Sequence, residues 1–232
     1  MSLLSIVQGV AARLALPQPP AVVASADRQV QQLLGLANEA GAQLGAAYPW
    51  QALRREQSFV STATQAQAAA LPADFGRFVP NSFFNRSTRR PITGPITPRQ
   101  HQWLQAQPAY SSVYLAFVER TGQFLIDPNP AAGQTIAYEY LSNAWARSSA
   151  GVPQTAFLAD ADTALLDEEL IALGLKWRFL RAKGLDYAEE MATCEREAER
   201  AQARDGGATA LTLAPAPVDP DRLNLPDGNY GG

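Results

Sequence analysis

The stretch from Leu165 to Leu180 constrains this chain most. Leu165, Leu166, Leu170, Ile171, Leu173, Leu175, Trp177, Phe179 and Leu180 recur at helical spacing but cover nearly the whole circumference. A helix apolar on all sides has no face to give to water, so it must lie at the centre of a bundle or between subunits. The spacing predicts one helix from a cap at Asp162 or Thr163 to about Lys183, ended by Gly184. The fold therefore needs other helices to wrap it.

The N-terminal segment supplies them. Leu3, Leu4, Val7, Val10, Ala11 and Leu14 predict a first helix, stopped by Leu16-Pro17-Gln18-Pro19-Pro20. Ser25 or Asp27 caps a second, striped by Val30, Leu33, Leu34, Ala37, Ala40, Gly41 and Leu44 and ended by Tyr48-Pro49-Trp50. After the central helix, Asp186-Tyr187-Ala188-Glu189 has capping-box spacing for a last, strongly charged helix with one solvated side.

Between these helices the pattern changes to strands. Gln57–Thr64 is rich in Ser, Thr, Phe and Val, Leu71–Gly76 reads as a turn, and Arg77–Phe84 reads as a strand with Pro80 at an edge or bulge. Thr97-Pro98 opens a short helix to about Ala106. Val113–Val118, Gln123–Ile126 and Thr135–Leu141 predict a three-strand meander joined at Thr121-Gly122 and at 127–133. Ile136, Tyr138 and Tyr140 share one face.

The predicted fold class is α+β. A helical bundle is built from both chain ends (1–54 and 151–205), with an inserted β-rich module, sandwich-like or meander, at 55–150. Residues 206–232 form an extended C-terminal arm, too rich in Pro and Gly to build a core alone.

Composition removes many chemistries from this chain. Of 232 residues one is Cys and one is His, so an internal disulfide, a Cys-rich metal site and His-pair metal motifs are excluded. The net charge of −3 advertises no basic field for nucleic acid or anionic membrane. No apolar run reaches the roughly 18 residues of a membrane span. The N-terminus lacks a basic region before its apolar residues, so it reads as an amphipathic helix and the protein as one folded in a cytosol. Seventeen arginines against two lysines, with much alanine, reflect coding bias.

Each chemical candidate has a plainer reading. His101 stands on a short polar helix beside Trp103 without a Gly-x-Ser-x-Gly elbow anywhere, and reads as an ordinary packing or surface histidine. Cys194 lies among Glu190, Glu195 and Glu197, whose charges raise a thiol pKa and make it inert. Asp74, Asp127 and Glu139 could supply paired carboxylates, but two of them sit in turns. Asp160 and Asp162 lack the further ligands of a calcium loop and read as caps. No phosphate-cradling glycine motif occurs. The segment Phe83-Phe84-Asn85-Arg86-Ser87-Thr88-Arg89-Arg90 mixes aromatics and arginines as single-strand binders do. In an acidic chain it reads better as a loop packed on a neighbouring subunit.

Several strings together resemble the head–tail adaptor (connector) proteins of tailed bacteriophages. They are Asp162–Ile171 leading into Gly174–Ala188, the opening helix–Pro loop–helix ending in Tyr48-Pro49-Trp50-Gln51-Ala52-Leu53, Leu71-Pro72-Ala73-Asp74-Phe75 and Asn85–Pro91. The resemblance covers most of residues 1–205. It implies a structural virion protein in the neck between capsid and tail, with no catalytic residue and no cofactor or metal. It implies a homo-oligomeric ring, a dodecamer, joining the portal protein to the next tail or neck component, with DNA passing through the channel without specific binding. On that reading Leu170, Leu173, Trp177, Arg178 and Arg181 are expected at the oligomer interface, and Leu223, Leu225 and Tyr230 are expected to anchor the arm on the portal. Two other classes remain open on the residues alone. One is a carbohydrate- or single-stranded nucleic-acid-binding module using Phe83, Phe84, Trp103 and Arg89; the other is a carboxylate-dependent hydrolase using Glu139.

Overall fold

The computed structural model describes residues 2–67, 71–106, 115–120 and 123–206. In chain order the elements are α1 (Leu3–Arg13), α2 (Arg28–Ala47), β1 (Arg54–Val60), β2 (Ala66–Gln67), β3 (Phe75–Phe78), β4 (Phe84–Asn85), β5 (Arg90–Pro91) and α3 (Pro98–Ala106). They continue with β6 (Ala116–Arg120), β7 (Gln123–Asp127), β8 (Thr135–Ser142), β9 (Ala146–Arg147), β10 (Pro153–Gln154), β11 (Thr163–Ala164), α4 (Glu168–Ala182) and α5 (Ala188–Asp205). The fold is α+β, with helices at both ends of the chain. The described residues form two compact units, one of residues 2–54 and 141–206, the other of residues 55–140.

In the first unit α4 is the hub and touches α1, α2 and α5. Leu170, Ile171, Ala172, Leu175 and Phe179 are buried, the Leu, Ile and Phe side chains each contributing about 1.5–3 kcal/mol on removal from water. Gly174 lets α2 approach closely, since a Cβ there would stand 3.1 Å from that of Ala40. Leu3, Ile6, Val7, Val10 and Ala11 form the inward stripe of α1, and Val30, Leu33, Ala37, Ala40 and Gly41 that of α2. Ser2 caps α1, and Asp27 caps α2 by accepting from the Gln29 amide at 2.7 Å.

The start of α4 differs from the sequence expectation. Asp167, not Asp162 or Thr163, is its cap, accepting from the Glu169 amide at 2.9 Å. Asp162 instead accepts from the amides of Leu158 and Ala159, and Thr163 pairs with Arg147 in the small sheet β10-β9-β11. Other partners, local for Asp162 and across the sheet for Thr163, had already claimed the earlier candidates. The last helix also lacks the expected capping box: its N-cap is Tyr187, without a side-chain bond, and Asp186 accepts only from the Ala188 amide at 3.2 Å.

The second unit has two sheets, β1-β8-β4-β5 with β3 also on β8, and β2-β7-β6. An aromatic core joins them: Phe59, Phe83, Phe117, Phe124, Ile126, Ile136, Tyr138 and Tyr140 are all buried. Phe83 stacks on Tyr138 at 4.7 Å and on Phe117 at 4.2 Å, pairs that add roughly 0.5–1.5 kcal/mol each beyond burial. Ile136, Tyr138 and Tyr140 do share the core face. The expected meander does not form. β6 and β7 pair, but β8 leaves them for β1, β3 and β4. The expected strand Arg77–Phe84 is two strands, broken where Asn81 adopts φ +60° and the Ser82 hydroxyl donates to the Val79 carbonyl at 2.7 Å. The predicted Thr121-Gly122 connection lies outside the described residues. For α3, Thr97 and Gln100 cap reciprocally, the Gln100 amide donating to Thr97 Oγ1 and the Thr97 amide to Gln100 Oε1.

Candidate functional site

The residues proposed for an oligomer interface lie on α4, and the first unit sorts them. Leu170 and Arg178 are covered by the chain's own helices, at 5% and 6% exposure. Arg178 reaches back along its helix to the Gly174 carbonyl at 2.9 Å and across to Gln43 and Glu39 on α2. Burial pushes its pKa down, opposed by the Glu39 charge. Its role in the bundle is thus to satisfy a buried polar spot between α2 and α4. Leu173 and Trp177 are half-buried and Arg181 is exposed, so these three keep surface to give to a neighbour. Arg178 and Arg181 stand 4.3 and 5.0 Å from the centre of the Trp177 ring, and Tyr187 stacks on it at 6.2 Å. That makes a rigid cationic-aromatic patch at the α4–α5 corner. Leu185, beyond it, is 54% exposed.

Cys194 is half-buried behind this patch. Its pKa is raised, as the sequence suggested, but burial is the main cause; nearby Arg178 opposes it and Glu195 adds only a minor push.

In the second unit the arginine-rich segment forms the β4–β5 hairpin. Asn85 is 1% exposed and builds the tip. Its Nδ2 donates to Gln134 Oε1 at 2.8 Å, while its Oδ1 accepts from the Ser87 and Thr88 amides. The Thr135 amide donates to Ser87 Oγ at 2.9 Å and the Arg86 amide to the Thr135 carbonyl at 2.8 Å. Arg86 pairs with Glu56 at 2.7 Å. Arg89, at φ +57°, is exposed at the turn.

Several residues of the alternative chemistries are engaged in structural work. Phe83 is 3% exposed inside the core, and only Phe84, at 40%, faces outward. Trp103 is half-buried against Ile96, Leu104, Ala116 and Val118. A stacking platform of Phe83, Phe84 and Trp103 is therefore not assembled. Among the carboxylates, Asp74 accepts from the Tyr140 hydroxyl at 2.9 Å and Asp127 from Gln105 Nε2 at 2.8 Å. Glu139 borders an open groove of about 450 Å³ beside the Glu56–Arg86 ion pair. His101 is buried at 4% exposure, 3.5 Å from the Gln65 side chain. Among the described residues no group of three His, Cys, Asp or Glu side chains is placed to hold a metal, and no helix is long and apolar enough to cross a membrane.

Two structural features had no signal in the sequence reading. Both oxygens of Asp160 accept from the Val22 amide at 3.1 Å, and Oδ1 also accepts from Val23 at 2.8 Å. With the Leu4 and Leu3 amides donating to the carbonyls of Asp160 and Asp162, the 158–163 loop clamps both the start of α1 and the linker after it. The same loop exposes Leu158 to 64%, and Val152 nearby in sequence is exposed to 58%. Apolar loop residues give no periodic signal, so only the fold could reveal them. Leu223, Leu225 and Tyr230 lie outside the described residues.

Comparison with curated proteins gives no match. A model of the family described as SU10 adaptor protein matches residues 1–223, which takes in both helical ends and the strands between them. The chain belongs to this family of phage adaptors, structural virion components that work between head and tail proteins.

Proposed function

We propose that this adaptor assembles as a closed ring, a dodecamer, beneath the portal and continues the DNA channel toward the tail. The match to the adaptor family across residues 1–223 carries this reading. Residues 1–54 and 151–205 make the body of the ring, packed side by side, with 55–150 directed outward or toward the tail. Leu173, Trp177 and Arg181 meet the next copy. A ring follows when one patch meets a different patch on its neighbour and the rotation closes. The subunit's net charge of −3 suits a conduit that DNA traverses without sticking. The arm from residue 206 grips the portal, with Leu223, Leu225 and Tyr230 as anchors.

Native mass spectrometry and electron microscopy of the protein, alone and co-expressed with its portal, test this. A closed ring on the portal is expected. A chain that stays monomeric in both conditions overturns the proposal. Deleting residues 206–232 is expected to abolish portal docking while leaving the far-UV circular dichroism unchanged; docking that survives the deletion removes the arm from the mechanism.

A further inference from the structure

We propose that the β4–β5 hairpin of one copy docks on α5 of the next, with Arg89 against Glu195 and Glu199. The inference rests on the ring reading above and specifies one of its contacts. From Phe84 to Pro91 the hairpin carries Arg86, Arg89 and Arg90 and no acidic residue. From Ala188 to Asp205 α5 carries six acidic residues against three arginines. The two elements thus carry formal charges of opposite sign, part of each already paired within the chain.

Both surfaces are built rather than incidental. The hairpin tip is fixed by buried Asn85 and by Ser87, so little order is lost when it binds. Arg86 is held by Glu56, whereas Arg89 has no ion-pair partner among the described residues. On α5, Glu190 is engaged by Lys176 and Glu197 by Arg200. Glu195 and Glu199 are exposed one turn apart, without an ion-pair partner among the described residues. Like charges at that spacing repel on an isolated helix; a cation from outside relieves both. The pairing joins two different patches, which is the heterologous contact a ring requires. Nucleic acid is the poorer occupant, because Arg86 is already paired with Glu56, Phe83 is buried and the chain is acidic overall.

Two variants test it, Arg89→Glu, and Glu195→Arg with Glu199→Arg. Each is followed by native mass spectrometry with the portal present, and its melting temperature checks that the subunit is folded. Each alone is expected to need at least about tenfold more protein to assemble, since like charges then face each other. An equimolar mixture is expected to regain assembly, because alternating copies restore opposite charges at every contact. Assembly of the wild type is expected to weaken as salt rises. If the wild type itself does not assemble, the ring reading falls and this contact with it. If the wild type assembles and the variants do so equally well, only the contact is overturned. Variants that fail alone and also fail when mixed place the effect within one chain and overturn it too. So does loss of single-stranded DNA retention on filters in Arg89→Glu with assembly unchanged.

Discussion

Helix α2 contains two glycines whose replacement by alanine should act in opposite directions. A Cβ on Gly41 would lie 2.3 Å from Cη2 and Cζ3 of Trp145, against an ordinary carbon–carbon contact of roughly 3.5–4.0 Å. The indole cannot step aside. It is 2% exposed and meets Phe157 edge-on at 4.7 Å, and its backbone carbonyl accepts from the Leu165 amide at 2.8 Å. Gly41→Ala therefore forces α2 away from its seat or the ring out of the core, at about 1–3 kcal/mol or more for overpacking. The gain in helix propensity, about 1 kcal/mol, offsets only part of this. At exposed Gly35, six residues earlier, nothing lies within 4 Å of the added carbon, so Gly35→Ala keeps the propensity gain alone. Urea denaturation followed by far-UV circular dichroism reads both. The midpoint is expected to fall for Gly41→Ala and to rise for Gly35→Ala. A Gly41→Ala protein as stable as Gly35→Ala would refute the packing of α2 on Trp145.

Two further outcomes follow from single contacts. Burial, reinforced by the hydrogen bond to Asp74, pushes Tyr140 up to about 12, above the ordinary tyrosine value near 10. The neutral phenol thus stabilises the fold fully below about pH 10, and that stability is lost as pH rises toward 12; Tyr140→Phe is expected to flatten this alkaline decline, measured by denaturation at stepped pH, and an unchanged slope counts against it. Asp160→Ala removes the acceptor shared by the Val22 and Val23 amides and is expected to cost about 1–3 kcal/mol, with faster hydrogen exchange at those two amides. Exchange unchanged there would show that the clamp holds nothing.

The sequence made some of this legible and not the rest, for reasons visible at particular residues. Period and caps are local, so the stripes of α1 and α2, the Thr97-Pro98 start of α3 and the alternation of Ile136, Tyr138 and Tyr140 read directly. At the start of α4, the spacing offered Asp162 and Thr163 as caps and passed over Asp167. The structure chose Asp167 because Asp162 was taken by the Leu158 and Ala159 amides. Phe83 and Phe84 are adjacent and aromatic; pairing with β8 decided that one fills the core and the other faces outward. Arg178 and Arg181 are both arginines on α4, yet only the former points at Glu39 and Gln43 on α2.

What the sequence determined by itself is the α+β class, the central position of the helix without a polar face, and the resemblance to phage adaptors. These rest on the hydrophobic effect acting along the chain and on composition, which need no knowledge of distant partners. Only the tertiary structure decided which strands pair, which carboxylates clamp loops and which side chains of α4 keep a free surface. Those choices depend on which distant groups claim each donor, acceptor and face, and sequence spacing does not encode that competition.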